Sequence, residues 1–147
     1  MAAGISLKQE NIAAFRKRLN EFAKTILTDV DLTPTLRLDS TISLDKLSLS
    51  DIDSLQALQP TGQGLPPVQV AVTNLELCQQ IRWMGSEKQH AKLIVTDGAG
   101  SAEVVWWNAA GEKRPSGRFD LAVQPAINSW KGRRSVQLKM LDWRPST

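Results

Sequence analysis

Phe119-Asp120-Leu121-Ala122-Val123-Gln124, continued by Ile127-Asn128, alternates apolar with polar residues, and Val136-Gln137-Leu138-Lys139-Met140 resumes the same alternation after the connection Asn128-Ser129-Trp130-Lys131-Gly132-Arg133-Arg134. Two runs of period two, one turn apart, read as a β-hairpin with a single buried face. That face would carry Phe119, Leu121, Val123, Val136, Leu138 and Met140. Asn128 and Gly132 suit the turn, and three cations surround Trp130. Such a loop either grips a polyanion or is an exposed turn whose charges are solvated while its tryptophan folds back on the sheet.

Upstream of the hairpin, strand patterns follow one another. Val68, Val70 and Val72 alternate, and the pattern continues less cleanly through Leu75, Leu77 and Ile81 towards Trp83, predicting one long first strand that bends. A polar loop over 85–89, a strand over 92–96, the tight turn Asp97-Gly98-Ala99-Gly100 and a strand over 102–107 come next. The polar segment 108–117 then leads to the hairpin. Five strands with a long, bent first one fit a small Greek-key barrel of the oligonucleotide-binding (OB) type, an SH3-like barrel or a plain meander.

The N-terminal part reads differently. Ser6 with Gln9 makes a capping-box pattern, and Ile12, Phe15, Leu19, Phe22 and Ile26 recur every three or four residues, predicting a helix over 7–27. Thr35-Leu36-Arg37-Leu38-Asp39 alternates as a strand, and Leu49, Ile52, Leu55 and Leu58 behind Ser48 predict a second helix. Two helices and one strand make a partial α/β segment, so the whole chain is expected to be α+β. Residues 59–67, Gln-Pro-Thr-Gly-Gln-Gly-Leu-Pro-Pro, break all periodicity and read as a linker. The two glycines have no strand-to-helix setting and no Lys-Ser/Thr pair, so they do not form a phosphate loop.

The 147 residues, 41% apolar and 22% charged, have the composition of a globular protein, and no run approaches the roughly 20 apolar residues of a membrane span. With no signal-peptide pattern either, the cytoplasm is the expected location and no membrane partner is expected. Residues 1–67 hold seven Lys/Arg against eight Asp/Glu, whereas 68–147 hold eleven against seven, so the net charge of +3 arises in the second part. A phosphate polymer is one partner for that excess. Cys78, the single cysteine, is expected to be a buried apolar residue, and with His90 as the one histidine no four-ligand Cys/His zinc site can form within the chain.

Several features together resemble the C-terminal region of the RecJ family, the single-strand-specific 5′-to-3′ DNA exonucleases of the DHH phosphoesterase superfamily. They are Met1-Ala2-Ala3-Gly4, Asn11 with Phe15-Arg16, Leu32-Thr33-Pro34-Thr35-Leu36, and Pro60, Gly62-Gln63-Gly64 and Pro66 at the junction. His90-Ala91-Lys92-Leu93, Asp97-Gly98, Asn128-Ser129-Trp130-Lys131-Gly132 and Val136-Gln137-Leu138 complete them. At the junction Thr61 and Leu65 stand where the family usually has Phe and Asn. The resemblance implies that residues 1–58 are the end of the second, DHHA1-like phosphoesterase domain, 59–67 a linker, and 68–147 a five-stranded OB domain acting in DNA repair and recombination. It also implies single-stranded DNA as a partner and a divalent metal, Mn or Mg, for the parent enzyme, with a single-strand-binding protein as a further candidate partner.

The family's catalytic Asp-His-His motif, its other metal-binding aspartates and its Gly-Gly-His motif lie upstream of the matching region. Two-metal hydrolysis needs carboxylates and histidines clustered around both ions. Here Asp29, Asp31 and Asp39 have no histidine beside them, and His90 reads as a polar or packing residue at a strand start. The chain alone is therefore expected to be inactive and to need no cofactor.

In an OB barrel the cleft crosses strands 2 and 3 between the loop joining strands 1 and 2 and the loop joining strands 4 and 5. That places Lys88 in the first loop, Lys92 on the intervening strand, and Trp130, Lys131, Arg133 and Arg134 in the second loop. Trp107 would face the cleft if Trp106 faces the core, since neighbours on a strand point oppositely; in the other reading both seal the barrel. Trp83 and Trp143 lack a basic neighbourhood and read as packing residues. A protein-interaction module, or an RNA-binding barrel, remains the alternative function.

Overall fold

The computed structural model describes residues 4–27, 32, 34–62 and 64–147. Met1, Ala2 and Ala3, the turn acids Asp29 and Asp31, Thr33, and Gln63 of the junction lie outside the described residues. The chain divides into two compact units, Met1–Leu36 and Arg37–Thr147.

The first unit contains helix α1, Ile12–Ile26, entered through a 3-10 turn, Gln9–Asn11. No side chain caps either start, so the Ser6–Gln9 box does not form; the entry tightens instead, with Asn11 N–H donating to the Lys8 carbonyl at 3.0 Å. The expected apolar spacing is present, yet Ile12, Leu19, Phe22 and Ile26 are exposed.

In the second unit helix α2, Leu49–Gln56, begins at a reciprocal capping box in which Ser48 Oγ accepts from Asp51 N–H and Asp51 Oδ2 from Ser48 N–H. Ile52 is buried, and α2 packs against the C-terminal hairpin. Among the described residues seven strands follow one another: β1 (Ser40–Thr41), β2 (Val70–Leu77), β3 (Arg82–Met84), β4 (His90–Thr96), β5 (Ser101–Trp106), β6 (Phe119–Trp130) and β7 (Arg133–Pro145). Six were expected, one over 35–39 and five in the barrel. The two unexpected ones arise because the first expected barrel strand is interrupted between Leu77 and Arg82, giving β2 and β3, and because β1 pairs with β2 in parallel.

The strand expected over 35–39 is absent: Leu36 and Leu38 are exposed, and an alternating pattern with no neighbour to pair with does not make a strand. Asp39 instead brackets Gln69, its N–H donating to the Gln69 carbonyl at 2.7 Å and its Oδ2 accepting the Gln69 N–H at 2.8 Å, which starts the β1–β2 register. A second bracket ties residues 44–46 to the Asp97–Gly100 turn. Leu44 N–H donates to Asp97 Oδ2 at 2.8 Å, and a Cβ on Gly100 would stand 3.1 Å from Asp45 N and 3.2 Å from the Leu44 carbonyl carbon. Residues 37–58 are thus built into the sheet unit.

The sheet is mixed, in the order β1-β2-β6-β7-β5-β4-β3, and β2 also pairs with β4 through Glu76 and Leu77. Strands β2, β6, β7, β5 and β4 are therefore joined as a ring of hydrogen-bonded neighbours, with β5 and β7 parallel. Phe119, Leu121, Val123, Leu138 and Met140 are buried inside with Val72, Leu75, Leu93, Val95 and Val104, and Val136 is half-buried against them.

Two irregularities reset the alternation. Between Val72 and Leu75 the β2–β6 register shifts, with Asn74 at φ +58°, so the inward parity passes from Val70 and Val72 to Leu75 and Leu77. Cys78 consequently points outward and is exposed rather than buried, correcting the expectation for that thiol. Between Ala122 and Val123 the β6–β7 register shifts by one residue at Leu141, which turns Trp143 inward against Phe119, ring centroids 6.4 Å apart.

Candidate nucleic-acid interface

On β4, Ala91, Leu93 and Val95 are buried while His90, Lys92, Ile94 and Thr96 are half-buried, so the second set lies on the outer face. Cross-strand partners share a face. Arg82 on β3 stands opposite Lys92, Val105 on β5 opposite both Lys92 and Lys139 of β7, and Glu103 opposite Gln137. Val105 is buried, but outside the core cluster. Arg82 and Lys139 were not singled out from the sequence; Lys139 had a signal there, since Val136, Leu138 and Met140 facing inward leave Gln137 and Lys139 facing out.

The centre of this face is a paired network. Lys92 Nζ lies 2.8 Å from Glu103 Oε2, and Gln137 Nε2 donates to Glu103 Oε1 at 2.6 Å. Burial pushes the Glu103 carboxyl up, but the hydrogen bonds from Lys92 and Gln137 and the Lys92 charge outweigh it and hold it below the ordinary glutamate range. Lys92 is therefore a cation already neutralised by its neighbour.

At the end of the face where β4 begins, Trp106, the last residue of β5, is buried and the adjacent Trp107 is 54% exposed. The Trp107 and His90 rings meet edge to face at a centroid distance of 4.6 Å, and His90 Nδ1 accepts the Asn108 N–H at 3.0 Å. Lys88 stands in the loop entering β4, at φ +52°. Trp83 and Trp143 pack against the core; Arg114 lies 5.1 Å over the Trp83 ring, and Trp143 Nε1 donates to the Lys113 carbonyl.

The hairpin turn lies at the opposite end. Trp130 pairs with Arg133, so the connection is two residues, Lys131 at φ +49° and Gly132 at φ +77°, the pair of positive φ values of a type I′ turn. Asn128, expected to help make the turn, is instead a β6 residue paired with Ser135. Because β7 runs parallel to β5, this turn projects past the Ser101 end, roughly 30 Å from Trp107 along the strand path at about 3.3 Å per residue. The two loops bound the face from opposite ends.

Register also separates the cations of the turn. Trp130 and Arg133 share the face of Gln137 and Lys139, whereas Arg134 has the opposite parity and meets Asp53 of α2 at 2.5 Å. Trp130 is 70% exposed. Among the described residues neither Lys131 nor Arg133 has a carboxylate within salt-bridge distance. The structure thus brings Lys92 and Trp107 onto one surface with Arg82, His90 and Lys139, places Lys88 and the pair Trp130 and Arg133 at its margins, and turns Arg134 away.

Among the described residues no group of three or more His, Cys, Asp and Glu could hold a metal ion, so these residues do not fit the divalent cation that the resemblance implies for the parent enzyme. No helix among them is long and apolar enough to cross a membrane.

An α+β unit whose mixed sheet presents aromatic and basic side chains on one outer face is the class defined so far. The family model described as RecJ OB domain matches residues 38–142, and the chain belongs to that family. It is 31% identical over 146 residues to the single-stranded-DNA-specific exonuclease RecJ of Bacillus subtilis, covering 97% of this chain and 18% of that protein. Against the exonuclease of the same name from Haemophilus influenzae it is 24% identical over 147 residues, covering 94% and 24%. The crystal structure of RecJ from Thermus thermophilus in complex with Mn2+ superposes with a TM-score of 0.74 at 18% identity, over 98% of this chain and 20% of that one, and the Mg2+ complex with 0.73. The chain spans about a fifth of the length of these relatives.

Proposed function

We propose that this chain holds single-stranded DNA for a RecJ-type single-strand-specific exonuclease, its ring of β2, β6, β7, β5 and β4 forming a five-stranded Greek-key barrel of the OB type. The observation that carries the reading is the outer face itself: Arg82 and Lys139 on strands flanking the Lys92–Glu103 pair, with Trp107 just beyond β5, bounded by Lys88 at one end and by Trp130, Lys131 and Arg133 at the other. Aromatic platforms between cations suit a single strand, whose bases stack while its phosphates are neutralised. In this reading the strand lies across β4 and β5 and is delivered to a metal-dependent site on the upstream phosphoesterase domains of a cytoplasmic repair and recombination enzyme. Helix α1 belongs with those domains, and the boundary lies between Leu36 and Arg37, where the compact units divide.

Titration of a fluorescent dT oligonucleotide at two salt concentrations tests the proposal. Binding is expected to weaken with salt, with a logarithmic slope near −0.7 per phosphate contact. Absent or salt-independent binding would overturn it in favour of a protein-interaction module, and tighter binding of the matching RNA would assign the barrel to RNA. Mn2+ or Mg2+ added to the chain alone is expected to give no hydrolysis of the oligonucleotide.

A further inference from the structure

We infer that His90, Asn108 and Trp107 form a nucleotide subsite at the β4-entry end of the outer face, in which Trp107 stacks on a base and His90 Nε2–H donates to the adjoining phosphate; this rests on the single-strand-binding reading above. The argument starts from a backbone donor. Asn108 N–H points at His90 Nδ1, 3.0 Å away, so Nδ1 must be the acceptor and the proton of the neutral imidazole must sit on Nε2. Asn108 reaches that position because its backbone is left-handed, φ +55°, which turns the chain back over His90 directly after β5. Among the described residues Nε2 has no hydrogen-bond partner, and no side-chain nitrogen or oxygen outside the exposed residues is both buried and unpaired, so Nε2 reaches solvent as a donor.

The same contact orients the stacking group. The His90 ring meets Trp107 at an interplanar angle of 74°, an edge-to-face arrangement that restrains an otherwise half-exposed indole. Beside it a notch of about 300 Å³ has Trp107 and Asn108 in one wall and Glu112 and Asp142 among its other lining residues. Carboxylates repel phosphate but accept hydrogen bonds from nucleobase amines, so the notch suits a base and leaves the phosphate to the His90 side.

The test combines titration of wild type and variants with dT oligonucleotide and fluorine NMR of protein labelled with 5-fluorotryptophan, the Trp107 signal being assigned through Trp107→Phe. Trp107→Ala should weaken binding roughly 5- to 100-fold, the loss of one stacked base. His90→Asn keeps an acceptor near the Nδ1 position but removes the distal donor; it should leave the Trp107 signal of the free protein in place and weaken binding about 2- to 10-fold. His90→Ala should both shift that signal and weaken binding further. Should His90→Ala melt far below wild type, the other two variants decide. Wild-type affinity in Trp107→Ala or in His90→Asn, while wild type itself binds, would overturn this subsite and leave the general binding reading standing; failure of wild type to bind would sink both.

Discussion

The two ends of the β6–β7 hairpin are built from the same pair of strands and do opposite things. At its base Phe119, Leu121, Val123 and Met140 are buried, and Asp120, although charged, is buried with every contact satisfied: its carboxylate accepts from Asn74 N–H, Arg144 Nε and Ser146 Oγ. At its tip Trp130, Lys131 and Arg133 stand in solvent around a two-residue turn. The base fixes a register, and the register decides which tip side chains face the candidate binding surface. A hairpin can thus project unsatisfied charge into solvent because its other end is anchored by burial and by a paired network.

The comparison breaks first at the base. Phe119→Ala should cost about 3–5 kcal/mol of unfolding free energy, read from denaturant melts, because it empties a fully buried position beneath Trp143. A loss below about 1 kcal/mol would mean that the base is not the anchor.

Asp120→Asn should cost about 1–3 kcal/mol, since an amide puts a donor where only acceptors are wanted. Burial pushes the Asp120 carboxyl up, but Ser146, the Asn74 N–H and Arg144 outweigh it and hold it below its ordinary value. A folded-state value below the unfolded one stabilises the protein at neutral pH, and that contribution is lost as pH falls below about 4. The acid-induced loss of stability should therefore be smaller in Asp120→Asn than in wild type when melts are compared between about pH 6 and about pH 3.

Substitutions at the tip should invert that pattern. Trp130→Ala is expected to leave the melting temperature within a degree or two and to cost on the order of 1–3 kcal/mol of oligonucleotide affinity, with little change in salt slope. A lowered melting temperature with intact affinity would show that the indole packs on the sheet. Replacing Lys131 and Arg133 together by alanine should reduce the magnitude of the salt slope by roughly 1.4, two phosphate contacts at about 0.7 each. Arg134→Ala should have the smallest effect, under about 1 kcal/mol of stability and no change in slope, because its partner is Asp53 in a half-exposed pair. A slope change in Arg134→Ala as large as in the double variant would show that register does not sort these cations.

Much of the candidate site was visible in the amino-acid order. The basic, tryptophan-bearing connection and the strand that carries Lys92 were legible there, whereas the choice between the two readings of Trp106 and Trp107 came from their burial in the folded unit. What escaped are pairings between distant positions. Glu103 neutralises Lys92 across adjacent strands, Asp53 engages Arg134 from 81 residues away, and Asn108 selects the His90 tautomer across 18 residues. None of these has a periodic signature.

The fold divides in the same way. Period two along β4, β6 and β7, and the Ser48–Asp51 cap of α2, are properties of a few consecutive residues, and the sequence by itself determined them along with most of the core. Tertiary structure alone decided where alternation is broken and what a strand pairs with. The bulge at Asn74 requires the Asp120 carboxylate to receive its N–H, and the shift at Leu141 requires β6 alongside. The alternating run 35–39 stays irregular while Ser40 and Thr41 find Val70 and Ala71. A strand exists only where another backbone supplies its hydrogen bonds, and that partner is chosen by the packing of the whole unit.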